Sequence, residues 1–391
     1  MSGALVSLVS KGQQDVYLIN NDNGSSFFQS KYSRYTNFSQ QPKMLNMIGG
    51  SVTPGSTSVV PLTNYGDLIN GLWLHGGEGA QAVIPGVKAP PGLVGCLFGT
   101  VFELWIGGQL IDSQPYDFMT DVWNVYLAEN ATKKSLMTNF MTDDPNLDYT
   151  FAPLHFFFCD NEMFLPLLAI QFHQVEVRIT WGPYVNQATQ IRMFGNYILL
   201  DTKEREMMAN APMDLVITQV QRHVPVLDTA KSSGQIDLSV LNHPVKAIFF
   251  GYPSLGWSST WNFHSADVLL NGQYLFENMY PSYFHTVQGY YHTKNANIQY
   301  SSDPNFNSPV FTQYYMYNFG LDCTSYRPTG ACNFSRLDSA SMNLIQPEVF
   351  TVQGNDPNGH PYLPLGPFTL YAVNYNVLRI KQGLAGIMFG N

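Results

Sequence analysis

With 391 residues, the chain is long enough for two domains of nearly 200 residues, and a unit of that size buries roughly 70% of its unfolded surface without a disulfide or metal staple. Charged residues make up 12% and aromatics 14%, which excludes a disordered chain and a uniformly Lys/Glu-coated exterior; much of the surface carries Asn, Gln, Ser, Thr and Tyr or is covered by neighbouring subunits. A net charge of −9 with no run of Lys or Arg argues against direct nucleic-acid binding, which needs a basic patch or arm.

At the amino end, MSGALVSLVSKG has neither a basic leader nor a small-residue cleavage pattern, so no secretory signal is expected. No apolar run approaches the ~20 residues of a membrane-spanning helix, and the chain is expected to be soluble, or soluble until it assembles. Short runs rich in Val, Ile, Phe, Tyr and Thr predict strands at DVYLI (15–19), TVFELWI (100–106), LAIQFHQVEVRITW (168–181), NYILL (196–200), DLVITQVQRH (214–223), PVKAIFFG (244–251) and LYAVNYNVLRI (370–380). Alternation within 168–181 predicts Ile170, Phe172 and Val175 on a core face, with one irregularity. DTKEREMMAN (201–210) predicts a helix capped by Asp201. Short helices are expected within 114–128 and 276–292, and loops rich in Gly or Pro at 49–58, 86–95 and 354–367.

ELWIGGQLID (103–112) is followed 164 residues later by DVLLNGQYLF (267–276): acid, apolar triplet, tight turn, Gly-Gln, apolar again. Each copy leads into an aromatic-rich segment, a long loop and a closing strand, GNYILLD (195–201) in one case and VNYNVLRI (373–380) in the other. A repeat on this scale predicts two copies of one antiparallel sandwich, and the eight-stranded solution with long crossing loops is the jelly roll. The expected fold is therefore all-β: two tandem eight-stranded antiparallel jelly rolls with short helices in loops and linker. The expected divisions are an N-terminal arm at 1–14, a first jelly roll at 15–203, a linker at 204–212 and a second jelly roll at 213–391. Gly107-Gly108 and Asn271-Gly272 fit tight hairpin turns that Gln109 and Gln273 would cap or brace.

Several blocks carry a family likeness. GALVSLVSKGQQDVYLI (3–19) leads into FFQSKYSRYTNFS (27–39), with Tyr32, Arg34, Tyr35, Thr36, Asn37 and Phe38 in order. NYGDLINGLWL (64–74), the ELWIGGQLID strand, the DTKERE linker, ACNFSRLDSASMNL (331–344) and NYNVLRIKQGLAGIMF (374–389) continue the series. In these blocks the chain resembles the double jelly-roll major capsid proteins of nucleocytoplasmic large DNA viruses, of the chlorella virus and iridovirus type. It is shorter than most members, with trimmed loops, so a smaller polinton-like or virophage-like relative fits the same blocks. The resemblance implies a structural protein that is not an enzyme. Three such chains form a pseudo-hexagonal capsomer that tiles the icosahedral shell of a double-stranded DNA virus. Implied partners are other copies of the chain in a homotrimer, neighbouring capsomers, minor capsid and penton proteins, and an internal membrane beneath the shell. The implied location is the virion, after assembly in the cytoplasm of the infected cell.

Other chemistry is weaker. HFFFCDNE (155–162) with His173 collects His155, Cys159, Asp160 and Glu162, but without zinc spacing. DPNLD (144–148) begins like a calcium loop, yet Tyr149 and His155 stand where Gly and Glu belong. HGGEGA (75–80) lacks the Gly-Lys-Ser/Thr ending of a phosphate loop. No nucleophile elbow or triad is visible, and no metal, cofactor or catalytic residue is expected. Cys96, Cys159, Cys323 and Cys332 are expected as buried or free thiols, although Cys323 and Cys332 could close a short loop. Asn23, Asn37, Asn130 and Asn333 begin sequons; Asn23 and Asn130, in loop-like surroundings, are the candidate glycosylation sites. A different class of reading is a carbohydrate-binding or glycan-processing jelly-roll protein, with Tyr314, Tyr315 and Tyr317 stacking on sugars from loops; a minor capsid component is a third.

Overall fold

A strand with one wet face alternates apolar and polar residues, whereas a strand buried on both faces is apolar throughout. Both patterns occur in the computed structural model of the chain. It describes residues 3–17, 28, 34–49, 52–62, 65–76, 96–130, 133, 151–159, 163–185, 191–227, 233–252, 261, 263–294, 299–300, 310–311, 314–345 and 367–390. The chain divides into residues 1–37 and 38–391. In the first unit, helix α1 (Gly3–Val9) precedes a 3-10 turn at Gln13–Tyr17. The strand expected at 15–19 is thus corrected over 15–17: the Asp15 carboxylate accepts the Gly12 N–H at 2.6 Å and the turn is locked locally. Residues 18–19 lie outside the described residues.

The second unit begins with β1 (Phe38–Leu45), β2 (Thr57–Pro61), β3 (Leu68–His75) and β4 (Val101–Ile106). There follow β5 (Gln109–Pro115), β6 (Phe151–Pro153), β7 (Val175–Thr180) and β8 (Arg192–Leu200). The second half supplies β9 (Met213–His223), β10 (Ser233–Asp237), β11 (Pro244–Gly251) and β12 (Ser265–Leu270). It ends with β13 (Gln273–Met279), β14 (Tyr314–Asn318), β15 (Ala340–Ile345) and β16 (Thr369–Lys381). The first half pairs as β1-β8-β3-β6 and β2-β7-β4-β5, the second as β9-β16-β11-β14 and β10-β15-β12-β13. Adding eight to each label of the first pair of sheets yields the second pair. Every pairing is antiparallel, and short strands at Ile48–Gly49, Cys332–Asn333 and Leu384–Ile387 extend two of the sheets, the last two adding to the same one. This is the double jelly roll that the repeat predicts.

Alternation holds where one sheet face is wet: β4 reads half-buried then buried along VFELWI, and β7 repeats the pattern. In β11, by contrast, Val245 to Gly251 are all buried. Ile248 and Phe250 enter the second sandwich's own core with Val268, Met342 and Leu370. Ala247 and Phe249 point the other way, into a core shared with the first half. Apart from Lys246, whose ammonium donates to Ser325 O at 2.8 Å, PVKAIFFG is apolar because both its faces are covered.

The strand expected over 168–181 starts only at Val175, after a 3-10 turn at Leu167–Ala169. Ile170 and Val175 are buried as predicted, but Phe172 is 73% exposed. The Phe172 N–H donates to Gly383 O at 3.0 Å. Its ring lies where a Cβ on Gly383 would sit, 2.5 Å from Cδ2. The segment is thereby diverted toward the turn after β16 instead of joining its own sheet.

After β5 comes α2 (Phe118–Leu127), a π-helix closed by the Ala128 N–H donating to Trp123 O at 2.9 Å. Helix α3 (Thr202–Asn210) joins the halves, with Asp201 Oδ1 accepting the Thr202 N–H at 2.8 Å as its cap. Arg205 anchors it to Asp67 at 2.8 Å. The helix starts before the linker expected from 204. After β13, π-turns at Tyr283–Val287 run into Gln288–His292, together α4. A helical segment therefore follows the repeated hairpin in both halves.

Both hairpin turns have two left-handed residues, Gly107 (φ 57) and Gly108 (φ 80), then Asn271 (φ 49) and Gly272 (φ 74). That is the turn whose twist matches its strands. A Cβ on Gly108 meets nothing within 4 Å, whereas one on Gly182 would lie 2.3 Å from Phe98 O. Gly108→Ala should cost ~1 kcal/mol of backbone strain, and Gly182→Ala ~3 kcal/mol or more through displaced backbone. Urea unfolding of the two variants checks the order; equal losses would contradict it.

Candidate functional site: the seam and its exposed counterparts

The strongest constellation of buried polar and aromatic groups lies where the two sandwiches meet. Pro115 ends β5, and the chain turns into α2, burying Phe118, Val122 and Tyr126. Phe118 packs on Tyr371 of β16 with ring centroids 5.3 Å apart, and Tyr126 packs on Phe249 of β11 at 5.6 Å. The Tyr126 hydroxyl donates to Tyr314 O of β14 at 2.7 Å, and the Tyr371 hydroxyl donates to Asp117 Oδ2 at 2.5 Å. Each contact crosses from the first half to the second.

Strand β5 adds polar contacts along the free edge of β9. Asp112 Oδ1 accepts the Val220 N–H at 2.8 Å, and its Oδ2 accepts Gln114 Nε2 at 2.7 Å. Gln219 Nε2 donates to Ile111 O. The hairpin tip is held too: His173 Nδ1 lies 2.9 Å from Ala385 O, and Gln109 Oε1 accepts the Ile387 N–H at 3.1 Å. Gln109 thus braces the C-terminal strand of the other half, not its own turn. Gln273 is exposed on β13.

Burial shifts these groups. Desolvation pushes the Asp112 carboxyl up to about 7 despite hydrogen bonds from Val220, Gln114 and Ser113 that favour its anion. Asp117 is raised by the same cause, against the pull of the Tyr371 hydroxyl and Arg222. Desolvation, reinforced by Lys133, lowers His155 to about 3. The seam is a buried interface whose carboxyls resist ionisation.

The sequence-level metal cluster does not assemble among the described residues: no group of three His, Cys, Asp or Glu lies within reach of one ion. His155 stacks on Trp123 at 3.5 Å, whereas His173 sits at the hairpin tip; Asp160 and Glu162 lie outside the described residues. So do DPNLD (144–148) and residues 77–80 of HGGEGA, while His75 is part of β3. All four cysteines are free thiols. Cys323 packs 3.7 Å from Met316 Sδ, with burial pushing its thiol up to about 12. Tyr314 and Tyr315, expected in an exposed loop, are each 1% exposed within β14, and Tyr317 is half-buried. Apolar pattern, not a sugar platform, explains them. Asn23 lies outside the described residues. Asn130 is exposed, its side-chain oxygen accepting the Lys133 N–H at 2.8 Å. Asn37 is exposed, and Asn333 caps a short turn by accepting the Ser335 N–H at 3.1 Å. Among the described residues, no helix is long and apolar enough to cross a membrane.

Sequence reading missed Asp117, Val122 and Tyr126 as seam residues. The available signal was the second repeated segment, DVWNVYL (121–127) against TVQGYYH (286–292), which shares Val and Tyr at matching positions.

Two jelly rolls of one topology share this seam, and similarity to known proteins identifies the class of protein built this way. Residues 26–211 match the family model described as the major capsid protein N-terminus, and residues 254–386 match that of the large eukaryotic DNA virus major capsid protein. The major capsid protein of Pyramimonas orientalis virus is 30% identical, and that of Paramecium bursaria Chlorella virus 1 is 28% identical, each over 100% of both chains. The crystal structure of PBCV-1 VP54, fitted into a reconstruction of the virophage Sputnik, superimposes with TM-score 0.72 at 25% identity, covering 94% of this chain and 100% of that one. A quasi-atomic model of the PBCV-1 capsid gives TM-score 0.74 at 25% identity, with the same coverage. The Faustovirus major capsid protein shares the fold at TM-score 0.62 and 12% identity, over 95% of this chain and 94% of that one. The chain belongs to the major capsid proteins of large eukaryotic DNA viruses, and is a structural component of the virion's capsid shell.

The seam carries a pH signature. Unfolded, Asp112 ionises near 3.8; folded, it keeps its proton to about 7. The folded state binds the extra proton between those values, so this contribution to stability is complete below pH 3.8 and is lost as pH rises through 7, on the order of 4 kcal/mol. Asp112→Asn, measured by urea midpoints, should gain on the wild type by more than ~2 kcal/mol between pH 4 and pH 8. Parallel curves would contradict the assignment.

Proposed function

We propose that three copies of the chain associate into a capsomer with a pseudo-hexagonal outline, and that such capsomers tile the icosahedral shell of a double-stranded DNA virus. The observation that carries this is the duplication itself: two sandwiches of one topology, held face to edge, put six like blocks into three chains. In this reading the protein performs no catalysis and binds no nucleic acid directly, in keeping with its net charge of −9 and lack of basic runs. Minor capsid and penton proteins and an internal membrane are its further partners, and assembly takes place in the cytoplasm of the infected cell.

Residues 15–203 and 213–391, joined by a linker at 204–212, are the two blocks of this scheme, with 1–14 as an arm. The exposed Asn130 is the sequon among the described loops that suits glycan attachment, and Asn23 is proposed beside it.

Multi-angle light scattering of the purified chain should give three times the chain mass, with hexagonal-outline particles in negative stain. A species that stays monomeric at the concentrations where capsids form would contradict the proposal.

A further inference from the structure

The seam inside one chain has two sides, and each side has a topological twin whose surface is left open. The donor side is α2, which follows β5; its twin α4 follows β13. Helical turns begin at residue 116 in one half and at 281 in the other. Counted from there, Val122 corresponds to Val287 and Tyr126 to Tyr291, identical residues at both positions. Their surroundings are opposite: Tyr126 is 0% exposed and Val122 is 0% exposed, whereas Tyr291 is 70% and Val287 is 40% exposed. Leu275 of β13 is 40% exposed where its counterpart Ile111 is buried.

The receiving side repeats as well. Across sheet β9-β16-β11-β14, Phe249 pairs with Tyr371 and Met316, and Gly251 pairs with Tyr314. Across β1-β8-β3-β6, Trp73 pairs with Phe194 and Pro153, and His75 pairs with Phe151. In both sheets these residues lie on the face turned away from the sandwich's own core. Trp73 therefore matches Phe249, Phe194 matches Tyr371, and Phe151 matches Tyr314. Trp73 and Phe194 stack at 5.8 Å, Met44 of β1 is exposed beside Phe194, and Phe151 is 40% exposed. A cavity of about 250 Å³ lined by Trp73, Phe151 and Pro153 opens here, where the second half's equivalent face is filled by Tyr126.

We infer that α4 of one copy docks on the outer face of sheet β1-β8-β3-β6 of a second copy, repeating between chains the seam that exists within each. Tyr291 enters the Trp73–Phe151 cavity and donates its hydroxyl to the main-chain carbonyl of Phe151, as Tyr126 does to that of Tyr314. Val287 and Leu275 complete the apolar contact around Tyr291, an aromatic anchor of the kind that dominates protein interfaces. The inference rests on the trimer reading and specifies its contact. If each step between sandwiches repeats the internal one, with a rotation of about 60°, the order first-second-first-second closes after three chains.

The test is the double variant Tyr291→Cys with Phe151→Cys in the full chain, oxidised mildly and run on a non-reducing gel. Both positions are exposed, so the fold should survive, and circular dichroism verifies it. Covalent dimers and trimers with nothing larger, and no such ladder from either single variant, are the expected result. A trimer by light scattering that yields no cross-linked ladder overturns this contact while leaving the trimer standing. A monomer by light scattering overturns both. As an independent readout, Tyr291→Glu should weaken association at least ~30-fold and Tyr291→Phe, which loses only the hydroxyl, ~5-fold, with the circular dichroism spectrum of the folded chain unchanged. Unchanged association for Tyr291→Glu would equally overturn the contact.

Discussion

The architecture depends on one dry contact: the apolar face of α2, with Asp117 and Tyr126 at its ends, pressed on Phe249, Tyr314 and Tyr371 of the neighbouring sandwich. A jelly roll standing alone has a wet outer face on each sheet. Here one outer face has become core, so β11 is buried on both sides and Asp112 is deep enough to hold its proton to about 7. Buried carboxyls left without hydrogen-bond donors are costly. The Val220 and Ser113 N–H groups, Gln114 and the Tyr371 hydroxyl supply those donors, and the two that cross the seam, from Val220 and Tyr371, fix the relative placement of the two sandwiches. The cores supply bulk adhesion, and these few polar contacts supply register.

The same contact accounts for the composition. A protein that hides sheet faces against like surfaces needs few charges there, because each buried charge carries a desolvation cost. Aromatic residues take their place, giving large contact area with few rotatable bonds. Tyr291 and Tyr290 remain exposed on the second half although their counterparts in the first half, Tyr126 and Val125, are buried. The sequence is written for an environment that a single chain does not complete.

Local rules make much of this fold legible in the amino-acid order. The Gly-Gln hairpins stand out because left-handed turn geometry restricts Gly107-Gly108 and Asn271-Gly272 to few residue types. The Asp201 cap of α3 and the strands around 100–106, 214–223 and 370–380 follow from equally local rules. The features that local rules miss are tertiary. Phe172 alternates correctly for a strand but is drawn off by Gly383, more than two hundred positions away. Gln109 reads as a turn brace because its partner, Ile387, comes from the other end of the chain. Tyr314 and Tyr315 read as a loop because a strand covered on both faces lacks alternation. Even the seam has a trace in the shared Val and Tyr of α2 and α4, visible once the repeat is extended past the hairpin.

The most direct measurement is a reconstruction of the assembled particle at side-chain resolution, from which the rotation between successive sandwiches is read. The account predicts that the step from second half to the next chain's first half matches the step within a chain, each about 60°, with α4 covered as α2 is. Unequal steps, or an α4 facing solvent in the assembled shell, would contradict it.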